Sequence, residues 1–232
     1  GDRAIAIGRT SNNSGARSLC IGFAATNSGG FGVVNVGTSC NTGGADRSGG
    51  IVIGNSSSLG SMNSATFGTS NSSDMAGEFS FGFGGFTSAG DARASTIVAR
   101  MTTTDATLLE LGVFGVSPGS GLNSTAPAQR IVLVNDSSYI FDCDIIARNT
   151  ATDTETSGWN LKFVIRRGAA AANTAIVGSA TKTVLAQDTG TTTWDVGVTA
   201  DTTNGRPKIE VTGQAAKTIR WVCNIRMTKV SG

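Results

Sequence analysis

Histidine is absent from this chain of 232 residues. Its absence excludes a Ser–His nucleophilic triad and a Cys/His zinc site. Proline is scarce, with three in all, and there are three tryptophans and one tyrosine. No apolar run approaches the ~20 residues of a membrane-spanning helix, and no basic n-region and apolar h-region opens the chain. A soluble chain with no membrane insertion is therefore expected. Charge is low at 15% of residues and nearly balanced at +2. Its Lys and Arg residues are scattered, with neither the basic stripe nor the stacking aromatics that a phosphate backbone requires, so no nucleic-acid partner is expected. The four cysteines, Cys20, Cys40, Cys143 and Cys223, lack C-x-x-C spacing. They read as buried free thiols, with no metal site and no cofactor.

The deficits are unevenly distributed. Up to Ala92 there is no Trp, Tyr, Pro or Lys, yet this segment holds 20 of the 32 glycines. Its charged residues are four basic and five acidic, against fourteen and eleven in the remainder. The shift marks a boundary between a Gly-rich domain at 1–92 and a second domain at 93–232.

Within the first segment one phrase returns six times: AIAIG (4–8), SLCIG (18–22), VVNVG (33–37), GIVIG (50–54), SATFG (64–68) and EFSFG (78–82). Its closing glycines, Gly8, Gly22, Gly37, Gly54, Gly68 and Gly82, are separated by 14, 15, 17, 14 and 14 residues. Near-constant steps of this length indicate a solenoid. Residues one and three before each glycine are apolar and share a strand face, because side chains alternate with a period of two. That alternation predicts an interior of Ile5, Ile7, Leu19, Ile21, Val34, Val36, Ile51, Ile53, Phe67, Phe79 and Phe81, with the intervening residue pointing outward. Two inward side chains per turn is little burial, and the small outward residues suit contact with copies of the same chain. A homo-oligomer is expected.

These I-G steps, with Ala and Ser between them, resemble the left-handed parallel β-roll of trimeric autotransporter adhesin heads, and similar repeats occur in phage tail fibres. The 17-residue step and the FGFGGF run at 81–86 depart from the pattern.

After Ser95 the period becomes that of longer strands, at 95–102, 106–114, 130–135, 138–148, 159–167, 174–178, 181–187, 192–199, 207–212 and 217–229. Ten short strands with turn residues between them predict an antiparallel β-sandwich of the jelly-roll type. GAAAANTA at 168–175 reads as a loop. Alternation places Tyr139, Phe141, Cys143 and Ile145 on one face, and Trp159, Leu161, Phe163 and Ile165 on another. Trp194, Val196 and Val198 share a third, and Ile219, Trp221, Cys223, Ile225 and Met227 a fourth. All three tryptophans thus have a core position. Tyr139, at a strand start beside the turn 135–138, is the aromatic best placed to meet a ligand.

Glycan cleavage ordinarily needs two carboxylates, and Asp142 and Asp144, flanking Cys143 on one outward face, are the one close pair on a strand. They lie on an open surface and read as solvated, so no catalytic residue is assigned and the chain is expected not to be an enzyme. The closing stretch TWDVGVTADTTNGRPKIEVTGQAAKTIRWVCNIRMTKVSG (193–232) resembles the C-terminal β-sandwich end of phage and prophage tail-fibre proteins. The resemblance implies an all-β homotrimeric fibre tip in the virion, a β-roll of 14–17-residue repeats followed by the sandwich. It would bind a host cell-surface glycan or outer-membrane receptor through many weak contacts. It carries over no binding residue; loops 135–138, 149–158 and 200–206 are the candidates. A bacterial trimeric surface adhesin and a polysaccharide-degrading tailspike are the alternative readings.

Overall fold

The computed structural model describes residues 3–43, 47–113, 130–151 and 155–232. The fold is all-β, with short 3-10 turns and no α-helix among the described residues. The chain forms two compact units, residues 1–96 with 228–232 and residues 97–227.

In the first unit, β1 (Ile5–Ile7), β3 (Leu19–Phe23), β5 (Val34–Thr38), β6 (Ile51–Asn55), β7 (Ala65–Thr69) and β8 (Phe79–Phe83) stack in parallel. The intervening β2 (Asn12–Asn13) and β4 (Thr26–Asn27) open a second wall. Isolated bridges Thr26–Asn41, Asn41–Ser58 and Ser58–Ser72 continue it, so the chain closes into a β-solenoid. The repeat register is unbroken, Gly22–Gly37–Gly54–Gly68–Gly82, and the 17-residue step does not disturb it. Gly37 accounts for the invariant closing residue of the phrase. Its φ is +141°, and a Cβ there would lie 1.8 Å from the carbonyl oxygen of Gly54. Neither the dihedral nor the approach admits another residue type.

The expected facing of the roll is reversed. Cys20, Asn35, Val52, Thr66 and Ser80, the intervening residues, are fully buried. The paired apolar residues point outward in two ladders, Ile5–Leu19–Val34–Ile51–Ala65–Phe79 and Ile7–Ile21–Val36–Ile53–Phe67–Phe81. Ile5 and Ile7 are each 54% exposed, and Phe79 and Phe81 each 44%. The reason is the width of the lumen, which is filled by small side chains that bond to backbone. Asn35 Nδ2 donates to the carbonyls of Thr26 and Cys40 at 2.9 and 3.1 Å. Ser57 Oγ donates to Gly68 O at 2.9 Å and Asn71 Nδ2 to Phe67 O at 3.0 Å. Such bonds make polar residues tolerable inside, while two rows of Ile and Phe per turn would not fit. Val33, Cys40, Val52 and Leu59 form the small apolar part of this interior.

β9 (Ala92–Thr103) pairs antiparallel with β8 through residues 94–96. Behind this pairing Arg93, Asp74, Glu78 and Lys229 form a largely buried network of ion pairs. Glu78 Oε2 also accepts the backbone N–H groups of Asp74 and Met75 at 2.6 and 3.0 Å.

The second unit holds β10 (Leu108–Glu110), β11 (Ser137–Asn149), β12 (Thr156–Arg167), β13 (Ala175–Gln187), β14 (Asp195–Asp201), β15 (Arg206–Thr212) and most of β16 (Ile219–Ser231). β16, β11, β12 and β13 lie side by side in that order, and β10, β15 and β14 form a separate three-stranded sheet. The alternation expected for the aromatic strands holds: Phe141, Cys143, Trp159, Leu161, Phe163, Ile165, Ile219, Trp221, Cys223 and Ile225 are all buried. Trp221 stacks on Trp159 at 5.6 Å and meets Trp194 at 6.0 Å, so tryptophans distant in sequence form one cluster. Their ring nitrogens are satisfied, Trp221 by Thr103 at 3.0 Å and Trp194 by Gln214 at 3.1 Å. All four cysteines are free and buried. Burial pushes the Cys20 and Cys40 thiols up, and the Cys223 thiol is pushed up by its hydrogen bond with Cys143 and then by burial.

Two strand expectations change. The runs at 174–178 and 181–187 are one strand, β13, and 130–135 is not a strand although Ile131 and Leu133 are buried. β13 is the outermost strand of its sheet, and most of its residues are exposed on both faces.

Candidate functional site

β11 and β12 pair antiparallel, which sets Ser137 and Ser138 directly opposite Arg167 and Arg166. The turn before β11 passes through Asp136, held at φ +51°. Beyond Arg167, a short loop through Gly168 and a 3-10 turn, Ala171–Asn173, leads into β13. Together these segments enclose an open cleft of about 440 Å³ lined by Asp136, Ser137, Ser138, Arg166, Arg167, Gly168, Ala172, Asn173, Thr174 and Ala175. This lies within the ~300–1,000 Å³ typical of small-molecule sites.

The polar groups of the cleft are unevenly satisfied. Arg167 Nη1 donates to the carbonyls of Leu133 at 2.5 Å and Gly205 at 3.3 Å, which fixes the guanidinium against backbone. Gly205 permits this: a Cβ there would meet Arg167 Cζ at 2.6 Å. Arg167 Nε and Thr174 Oγ1 are buried without a partner, although Thr174 is only 3% exposed. Arg166 is exposed. Neither arginine has a carboxylate partner among the described residues. A smaller cleft of about 230 Å³, lined by Arg148, Asn149, Thr150 and Arg220, lies by the other end of β11.

Asp142 and Asp144 do share an outward face, and the structure adds what joins them. Asn160 Nδ2 donates to both carboxylates at 2.8 Å, and Arg226 Nη2 lies 3.0 Å from each. Lys162 approaches Asp142 at 3.4 Å. Partial burial raises the Asp142 carboxyl, but bonds from Asn160 and Arg226 and the charges of Arg226 and Lys162 outweigh it and hold it below its ordinary range. A carboxylate so held is a poor proton donor near neutral pH.

Tyr139 is not available to a ligand. It is 2% exposed, and its hydroxyl accepts the Val134 N–H at 3.3 Å. Of the candidate loops, 135–138 borders the larger cleft. In 149–158, residues 152–154 lie outside the described part, while Asn149 and Lys217 bind Glu155 at 2.6 and 2.5 Å. In 200–206, Asp201 accepts the N–H groups of Thr203 and Asn204 and pairs with Arg206 at 3.0 Å, which makes it turn structure. Sequence reasoning passed over Arg166, Arg167, Asn173 and Thr174. The available signal was RRGAAAANT at 166–174, two cations closing an alternating strand before a loop of small residues. No group of residues suited to hold a metal ion occurs among the described residues.

No family model and no curated protein matches the sequence. Among solved structures, a tailspike protein of Acinetobacter baumannii bacteriophage Fri1, titled a capsular polysaccharide depolymerase, is similar over 95% of this chain and 41% of its own, at 8% identity and a TM-score of 0.34. The tailspike protein of A. baumannii phage AM24 is similar over 93% of this chain and 47% of its own, at 12% identity and a TM-score of 0.32. The chain thus spans less than half the length of these structures. Likenesses of this size assign no residue, substrate or reaction to the chain. The expectation that it is not an enzyme is nevertheless withdrawn, since a structure similar to it is titled a depolymerase. Lack of histidine excluded one catalytic route only.

Proposed function

We propose that this chain is part of a phage-type tail attachment protein, a virion component in which three copies associate along the roll and bind a polysaccharide on the host surface. The observation that carries the proposal is the pair of outward ladders. Twelve side chains, five Ile, two Val, three Phe, a Leu and an Ala, repeat in register on one face of the solenoid. A contiguous apolar face of this kind marks an interaction surface, and a surface that repeats with the solenoid is best matched by the same surface on another copy. The exposed outer strand β13, carrying Val177, Val184 and Leu185, offers an unpaired edge for such contact as well.

In this reading the second unit is the jelly-roll-like sandwich tip, and its clefts meet the receptor. Three weak sites on one rigid body raise effective affinity without tight single contacts. Surface polysaccharide is the class named for the Fri1 tailspike, and a protein-free glycan suits open, polar clefts. Sedimentation equilibrium should give three times 23.5 kDa, and Ile53→Ser with Phe81→Ser should shift that mass towards the single chain. Labelled protein should bind host cells, and purified surface polysaccharide should displace it. A monomer at all concentrations, or binding indifferent to polysaccharide, would refute the proposal. Release of oligosaccharide, measured in the same assay, reports any cleavage.

A further inference from the structure

We infer that the 440 Å³ cleft between β11, β12 and the loop before β13 binds a sugar unit bearing a carboxylate. The inference rests on the attachment reading above and names the chemistry of its ligand. Three observations converge on an anion. Arg167 is anchored by two neutral carbonyls, so its charge is positioned in the cleft without a paired carboxylate. The Arg166 side chain, beside it, makes no hydrogen bond or ion pair with any described residue and is free to close on a ligand. Thr174 Oγ1 and Arg167 Nε are buried polar atoms without partners, and buried polar groups ordinarily have one. A bound hydroxyl or carboxylate oxygen would supply it.

Charge decides among anions. Arg166, Arg167 and Asp136 give the lining a net charge of +1, which balances a monoanion. A phosphate dianion would meet the Asp136 carboxylate with more repulsion. Guanidinium groups take a carboxylate in a planar, two-pronged fashion. Asp136, Ser138 and Asn173, whose side chains have no partners among the described residues, then supply acceptors and donors for ring hydroxyls. A neutral sugar would leave that net positive charge uncompensated.

The test uses the whole chain and isothermal titration with three probes: an oligoglucuronate, an oligogalacturonate and a cello-oligosaccharide of equal length, each also in the presence of inorganic phosphate. At least one acidic oligosaccharide should bind, the neutral one at least about tenfold more weakly, a gap of the size that one charge-assisted pair supplies. Arg166→Gln, a change at an exposed side chain, should weaken acidic binding by about tenfold, and Thr174→Val should weaken it with an unchanged melting curve. Equal binding of the neutral probe, no binding of either acidic one, displacement by phosphate at equal concentration, or an unaffected Arg166→Gln would each overturn the inference. Cell binding separates the two proposals. If Arg166→Gln still attaches to cells as well as the parent, the attachment reading stands and this cleft is not its site. If the parent binds oligouronate but no cells, the attachment reading fails.

Discussion

Replacing Lys229 by Met tests how the end of the chain is held to the roll. Lys229 Nζ lies 3.0 Å from Asp74 Oδ2, which Arg93 Nη2 also contacts at 2.6 Å, and Arg93 reaches Glu78 Oε1 at 3.0 Å. The four side chains are 6%, 17%, 1% and 0% exposed in the order Lys229, Asp74, Arg93, Glu78. Two acids and two bases balance, so methionine keeps the aliphatic stem and leaves one negative charge in excess. Removing one partner of a buried pair costs about 3–5 kcal/mol. Asp74 keeps Arg93 and some contact with water, which puts the expectation near the lower end, about 3 kcal/mol. For a chain of this length each kcal/mol moves the melting temperature by about 2–4 °C, so a fall of roughly 6–12 °C is expected. Calorimetry at matched protein concentration measures it, since association would otherwise shift the midpoint. Asp74→Asn should lower stability too, and the double variant should lose less than the sum of the singles, because groups in one network couple. An unchanged midpoint in Lys229→Met, or strict additivity, would refute the network.

Gly37→Ala should cost more than about 3 kcal/mol, from strain at φ +141° and displacement of the Gly54 carbonyl; a variant with the parent's yield and melting temperature would contradict the glycine ladder. Asp91 gives an acid limit. Its carboxylate accepts the N–H groups of Ser88 and Thr87 at 2.7 Å and Phe86 at 2.9 Å. The Ser88 and Thr87 bonds hold its pKa below the ordinary value, against a smaller effect of burial. A carboxyl depressed in the folded state contributes stability above its unfolded pKa, about 3.9, and loses it as pH falls through the folded value. The melting-temperature gap between the parent and Asp91→Asn should therefore be full above about pH 4 and close below it, and a gap that widens in acid would refute the assignment.

The sequence alone determined the period of the roll, its register and the need for glycine at the end of each phrase. These are local properties: a two-residue alternation recurs in every turn, and a φ that favours glycine recurs at Gly8, Gly22, Gly37, Gly54 and Gly68. It also determined which residues of β11, β12 and β16 share a face. There large apolar side chains such as Trp159, Phe163 and Trp221 are buried, and Trp159 and Trp221 stack on each other. In the roll the same rule named the right residues and the wrong side. Alternation reports that Ile51 and Ile53 point together; whether they point inward depends on the bore of the closed coil, which admits Val52 and its hydrogen-bonded neighbours but not two ladders of bulky chains. The cleft was decided by tertiary structure as well. Asp136, Arg166 and Thr174 are brought together by a strand pairing and a loop return, and Arg167 is aligned by the carbonyl of Gly205, a residue 38 positions away along the chain. Its unpartnered groups became visible only as contacts, because satisfaction of a buried donor is a property of the space around it, to which no single stretch of sequence refers.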